Sequence, residues 1–300
     1  MGQKILPFTG AAAALITPFT CDGAVDYPAL ERLIELQICE GIDALVVLGT
    51  TGEASTLTHE ERLAVTAFTV RTVRGRLPVI VGTGSNNTAY SVELSREVCR
   101  LGADALLVVT PYYNKASPEG LKRHFTAIAE ASSCPIILYN VPGRTGMSIP
   151  MQVYAQLAEV ENIAAVKEAS GSLASAADLC ASFGDALYVY SGNDELTLPI
   201  LSVGGKGVIS AAANIVPREM HAICAHFFSN HIDTSRAVQH SLTGLIRALF
   251  SDVNPIPLKC ACSLLGLCRE TMRLPLCPMG EDKRHALEEE MKKIGLFERF

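Results

Sequence analysis

The sequence has ten cysteines, but no two of them form a Cys-x-x-Cys pair. Four lie close together, Cys260, Cys262, Cys268 and Cys277, yet their spacing is not that of a zinc ribbon or finger. They read as free thiols, and no metal is expected. So many unpatterned cysteines suit a reducing, cytoplasmic setting better than a secreted one. Also missing is any apolar run of about 18 residues, which excludes a transmembrane helix on sequence grounds. No basic run stands out and the net charge is only −6, so neither nucleic acid nor an anionic membrane surface is an expected partner. There is no G-x-S-x-G elbow and no G-x-x-x-x-G-K-[ST] phosphate loop. At the N-terminus, "MGQKILPFTGAAAALITPF" faintly imitates a signal peptide, but Pro7, Gly10 and Pro18 cut its apolar stretch too short. The Met-Gly start lacks the Ser or Thr that a myristoylation signal places where Leu6 stands.

What is present is a chain of 300 residues, 49% hydrophobic and 19% charged, ample for one large core. Short apolar runs alternate with helical patterns. The runs are "AAALI", "ALVVLG", "LPVIVG", "DALLVVT", "CPIILYN", "IAAVKE", "ALYVYSG" and "GGKGVIS". Between them lie stretches such as "YPALERLIELQICEG" and "NTAYSVELSREVCRLG", with apolar residues at three- and four-residue steps. Several end on glycine, at Gly41, Gly75, Gly102 and Gly184, as helix C-caps do. Eight strands alternating with helices predict a parallel sheet closed as a (β/α)8 TIM barrel. The first strand is expected over 11–16. A doubly wound open sheet is disfavoured because no phosphate-binding Gly-rich turn follows "AAALI". The barrel is expected to occupy residues 1–225, and a wholly helical C-terminal domain residues 226–300.

In such barrels the active site lies at the C-terminal ends of the strands. Those ends read "LGTTGEAST", "VGTGSN", "VTPYYNK", "LYNVPGRTG", "VKEASG", "YSGND" and "VISAAAN". They hold no His/Asp/Glu trio with metal spacing, which argues against a metal-dependent aldolase. They do hold a lysine, tyrosines, paired threonines and an arginine. Lys167 ends an otherwise apolar strand, where the plain reading is a snorkelling surface lysine. The sharper reading is an amine shielded so that it can attack a ketone and form a Schiff base. Tyr139 can move protons within a hydrogen-bonded relay, or simply pack at the rim. Arg144 offers a fork for a carboxylate, and the backbone of "GTTG" with its threonine hydroxyls offers a second carboxylate site. Asp194 and Glu195 read as the start of a helix, where acidic residues favour its positive end. Together these residues suggest carbon–carbon bond chemistry on a small keto acid without a cofactor.

From "LITPF" through "GTTGEASTLTHEER", "TPYYNKASPEG", "YNVPGRTG", "VKEASG" and "GVISAAANIVPREM" to "NPIPLK", the chain resembles the dihydrodipicolinate synthase branch of the pyruvate-dependent class I aldolases, a family that includes N-acetylneuraminate lyase. The resemblance implies a (β/α)8 barrel with a C-terminal helical extension, assembled as a homotetramer, a dimer of dimers. It implies condensation of pyruvate with L-aspartate 4-semialdehyde, the committed step towards diaminopimelate and lysine. By motif, Lys167 would form the Schiff base with pyruvate, and no other cofactor would be needed. Tyr139 would be proton donor and acceptor. Thr50 and Tyr113 would complete the relay, Tyr113 reaching into a neighbouring subunit. Thr51 would hold the pyruvate carboxylate, Arg144 the carboxylate of the aldehyde, and Gly192 and Ile209 would line the site through their backbone. The alternative is a lyase that releases pyruvate from a sugar acid by the same lysine chemistry. A third reading is a non-catalytic barrel that senses pyruvate. Many members are inhibited by lysine in a cleft that would here involve Ser55, His59, Asn86, Tyr90 and Tyr112. Tyr90 stands where an acidic residue would meet the effector's ammonium, and Arg62 where a second histidine is often found. Weak or absent lysine inhibition is therefore expected.

Overall fold

The computed structural model describes residues 4–299; Met1 and Gly2, on which the acylation reading partly turns, lie outside them. Eight parallel strands form a closed barrel in chain order: β1 (Gly10–Ala14), β2 (Ala44–Val47), β3 (Val79–Gly82), β4 (Ala105–Val109), β5 (Ile136–Asn140), β6 (Ile163–Glu168), β7 (Tyr188–Ser191) and β8 (Gly207–Ser210). β1 pairs with β8 to close the ring, with Gly10 opposite Gly207. The two backbones meet so tightly there that a Cβ on Gly207, whose φ is +155°, would stand 1.8 Å from the Gly10 carbonyl oxygen. Only glycine fits that seam. The expected (β/α)8 TIM barrel is thus what the chain forms.

Strand alternation divides the apolar residues into two layers. Ala12, Ala44, Ile80, Leu107, Ile137, Ala165, Tyr188, Tyr190 and Ile209 fill the interior. Their neighbours, such as Leu45, Val81, Leu106, Leu138 and Val166, pack outward beneath the helices. Small interior residues on β1, β2 and β6 make room for the two large rings of β7. One ring, Tyr190, stacks on Phe8 with centroids 4.2 Å apart.

Two differences from expectation have local causes. β1 ends at Ala14 rather than at residue 16. Leu15 still donates to the Val46 carbonyl, but the Ile16 amide is taken by the Asn214 side chain, so the chain leaves the ladder without losing its hydrogen bonds. The C-terminal region is not wholly helical. Helices span Pro217–Phe228, Ile232–Ser241, Thr243–Leu249, Ile256–Leu264 and Glu281–Lys293, and the first runs across residue 226. Residues 265–280 include no helix; Pro275, Pro278 and Gly280 disfavour one. The segment is anchored instead by Arg273, whose guanidinium bonds Glu61 and the Gly23 and Thr56 carbonyls.

Candidate active site

Lys167 is the fifth of six residues in β6. Period-two alternation puts it on the same face as the interior residue Ala165, and it is 6% exposed. In the β5–β6 register it lies opposite Tyr139, and its Nζ sits 4.6 Å from the centroid of that ring. A cation there is attracted by the ring face. The snorkelling reading is thereby overturned: the strand holds the amine inside the barrel mouth, against an aromatic wall.

The next residue on each strand faces the other way and locks the pair. Asn140 Nδ2 donates to Glu168 Oε2 at 2.8 Å. Glu168 Oε1 accepts from the Ser170 amide at 2.8 Å, and Asn140 Oδ1 accepts from the Ile149 amide at 3.1 Å. Glu168 Oε2 is thus satisfied by the neighbouring strand, and Glu168 Oε1 and Asn140 Oδ1 by amides beyond the strand ends. The Asn140–Glu168 brace was not singled out from sequence. Its trace was there, because "YN" and "KE" both place a polar residue directly after a candidate catalytic one.

The β2 loop supplies the threonines. Leu48 leaves the strand at φ +58° and Glu53 ends the loop at φ +51°, both in a region non-glycine residues seldom adopt. Between them the chain folds on itself, Gly52 donating to the Gly49 carbonyl and Glu53 to that of Thr50. The Thr17 hydroxyl ties down the Gly52 carbonyl at 2.7 Å. Thr51 is buried, and its hydroxyl accepts from Asn254 Nδ2 at 2.9 Å. Thr50 is only partly covered and faces a cavity of about 270 Å³, whose wall also includes Tyr112, Tyr139 and Arg144. Arg144 sits in the short helix Pro142–Thr145 just past β5, with Nη2 3.5 Å from the Asn254 carbonyl oxygen.

The remaining expected residues divide. Ile209 belongs to the barrel interior. Gly192 donates to the Glu168 carbonyl at 2.7 Å, and a Cβ there would stand 2.5 Å from that of Ala169, so its backbone is what this part of the mouth admits. Tyr113 is not brought to Lys167 within one chain. It is 92% exposed at φ +71°, while its neighbour Tyr112 lines the cavity. Asp194 opens a short 3-10 turn, Asp194–Leu196, at the helix start expected from sequence, but its carboxylate also bonds elsewhere. It is buried, its Oδ2 accepts from the Ala212 amide at 3.0 Å, and burial raises its pKa above the ordinary carboxylate value.

Three further residues were not legible as part of the site: Asn254, Lys259 and Arg273. They come from the C-terminal region and meet the β2 loop across more than 200 positions. Among the described residues, no group of three or more His, Cys, Asp or Glu is placed to hold a metal. All ten cysteines are free thiols.

A sequence profile of the Dihydrodipicolinate synthetase family matches residues 7–294. A 4-hydroxy-tetrahydrodipicolinate synthase of Acetivibrio thermocellus is 49% identical over 289 residues, covering 96% of this chain and 98% of that one. The crystal structure of dihydrodipicolinate synthase from Thermotoga maritima superposes with a TM-score of 0.95 at 40% identity, covering 97% of this chain and all of the other. A chloride-inhibited dihydrodipicolinate synthase from Acinetobacter baumannii, solved with pyruvate, gives 0.94 at 41% identity, with 96% and 99% covered.

Proposed function

We propose that this chain, which belongs to the Dihydrodipicolinate synthetase family, condenses pyruvate with L-aspartate 4-semialdehyde to 4-hydroxy-tetrahydrodipicolinate, in the branch leading to diaminopimelate and lysine. The observation that carries the reading is the buried Lys167 amine held against Tyr139 at the C-terminal mouth of the barrel.

In this reading the amine of Lys167 attacks the pyruvate ketone and expels water, leaving an imine. The imine withdraws electrons from the adjoining methyl group, and loss of a proton there gives an enamine. Tyr139 carries protons to and from the departing oxygen and the new nucleophile. Thr50 lines the same cavity as that phenol and joins it in the relay, and the exposed Tyr113 would join the relay of a second subunit. The enamine carbon attacks the aldehyde. The product's own amine then displaces Lys167 and closes the ring, releasing the enzyme. Thr51 holds the pyruvate carboxylate, Arg144 the carboxylate of the aldehyde, and Gly192 and Ile209 shape the floor. The covalent intermediate does the work that a cofactor does elsewhere. We further propose a cytoplasmic homotetramer; the ten free thiols suit that compartment, and no helix among the described residues is long and apolar enough to cross a membrane.

The test is pyruvate consumption with a panel of aldehydes that includes aspartate semialdehyde and N-acetylmannosamine. Consumption with the semialdehyde alone is expected. Consumption with the sugar aldehyde would keep the lysine chemistry and make the chain a sugar-acid lyase. No consumption with any aldehyde would overturn turnover altogether.

A further inference from the structure

One residue of the C-terminal region, Asn254, touches two residues of the mouth, Thr51 on the β2 loop and Arg144 just past β5. Asn254 is 8% exposed. Its side-chain nitrogen donates to the Thr51 hydroxyl oxygen, and its backbone carbonyl lies next to Arg144. A hydroxyl has one proton and two acceptor positions. With one acceptor position filled by Asn254, the Thr51 proton is free to point at a carboxylate instead of being spent on the protein.

The segment that carries the donor is anchored close by. Asn254 stands just before the Ile256–Leu264 helix, and that helix carries Lys259, which is wholly buried. Lys259 pairs with Glu53, two residues beyond Thr51; its Nζ lies 4.0 Å from the Phe19 ring centroid and donates to the Thr271 carbonyl at 2.9 Å. The Arg273 amide donates to Glu53 as well. The loop is thus held from the C-terminal region at two side chains, the Glu53 carboxylate and the Thr51 hydroxyl.

We propose that Asn254 is a positioning residue for pyruvate: its side-chain amide sets the direction of the Thr51 hydroxyl proton, while its backbone carbonyl steers Arg144. The proposal rests on the roles given above to Thr51 and Arg144. It separates the two substrates sharply, because a substitution removes the amide and leaves the carbonyl.

Asn254→Asp keeps the shape but turns the donor into an acceptor. Thr51 must then give its proton to the new carboxylate. The expected result is a pyruvate KM raised about tenfold or more, with the semialdehyde KM within about twofold. Asn254→Ala should raise the pyruvate KM by a smaller factor, about threefold. A Thr51→Val/Asn254→Ala double variant should bind pyruvate no worse than Thr51→Val alone, since the amide acts only through that hydroxyl. Melting curves identify any variant that fails to fold, and the double variant then decides, because it asks for coupling rather than for a loss. Equal rises in both KM values, or losses that multiply in the double variant, would overturn the assignment. Wild-type enzyme that shows no borohydride-trapped pyruvate on Lys167 would overturn the underlying reaction as well, and is read separately from the Asn254 outcomes.

Discussion

The two ends of the barrel are built on opposite terms. At the N-terminal end Tyr190, Lys4 and Asp43 are each answered nearby. Phe8 stacks on Tyr190, whose hydroxyl donates to the Phe8 carbonyl at 2.6 Å. Lys4 donates to the carbonyls of Ala158, Val160 and Ile163. Asp43 accepts from the Ala11 amide beside the barrel seam and from His221. The C-terminal end keeps its hydroxyls, phenol and guanidinium on a cavity wall, and three non-glycine residues there, Leu48, Glu53 and Tyr113, have positive φ. Such backbone costs about 1–3 kcal/mol per residue and persists only where surrounding structure enforces it. At this mouth part of the enforcement comes from the C-terminal region. The difference teaches that one end serves folding and the other chemistry, and that substitutions should separate accordingly.

The largest expected effect tests the chemical end. Lys167→Met should lower turnover at least about a thousandfold and abolish borohydride trapping of pyruvate, while the melting temperature stays equal or rises. Burying an amine is costly, and an apolar side chain of similar length removes that cost. A large loss of stability would mean that Lys167 is structural, and the contrast between the two ends would fail. At the other end, Phe8→Ala should cost about 3–5 kcal/mol in denaturant unfolding, the usual range for a truncated core aromatic, with both KM values unchanged in the folded fraction. A shifted KM would show that the plug reaches the mouth.

Arg144→Ala is expected to act within the mouth alone. Loss of a charge-assisted fork to a carboxylate is worth about 2–3 kcal/mol, so kcat/KM for the semialdehyde should fall by roughly 30- to 150-fold. Trapping of pyruvate on Lys167 should persist. If trapping is lost together with turnover, Arg144 does not discriminate between the substrates.

The barrel was readable because each strand is a short apolar run beside a helix of clear period. The seats of Lys167, Tyr139 and Thr51 were readable for a related reason: a polar residue at the end of an apolar run can only be at the mouth. Three things escaped. The Asn140–Glu168 brace joins two strands whose pairing no local pattern encodes. Asp194 is at the helix start that its sequence suggested, but only the fold shows the Ala212 amide that its carboxylate bonds. Asn254, Lys259 and Arg273 reach the β2 loop from the far end of the chain, a contact that periodicity cannot express.

A subtler test concerns the cleft beside the cavity. Arg62 lies with its guanidinium 5.5 Å from the Tyr90 ring centroid and donates to the Ala54 carbonyl. His59 is paired with Glu97 at 3.0 Å, so the carboxylate of this cleft is already engaged. Free L-lysine, whose ammonium would meet Arg62 rather than an open carboxylate, should change the steady-state rate by less than about twofold at millimolar concentration, by the weak exposed-charge terms that remain. Strong inhibition would mean that the Arg62–Tyr90 stack opens.

The smallest effect belongs to the N-terminal end and depends on pH. The hydrogen bond from His221 to Asp43 raises the His221 pKa above its ordinary value, against the opposing effect of partial burial. A histidine with a raised folded-state pKa contributes stability that is fully present below its unfolded value, about 6.5, and that is lost as pH climbs through the folded value. The pair is more than a third exposed on the histidine side, so solvent weakens it. His221→Gln should therefore lower the melting temperature slightly at pH 6 and by less at pH 8.5, with kcat unchanged at either pH. The Ala11 amide keeps its bond to Asp43 throughout, which confines the pH-dependent part to the histidine. An effect that grows with rising pH would have the wrong sign for this pairing, and a change in kcat would show that the seam at the base does communicate with the mouth.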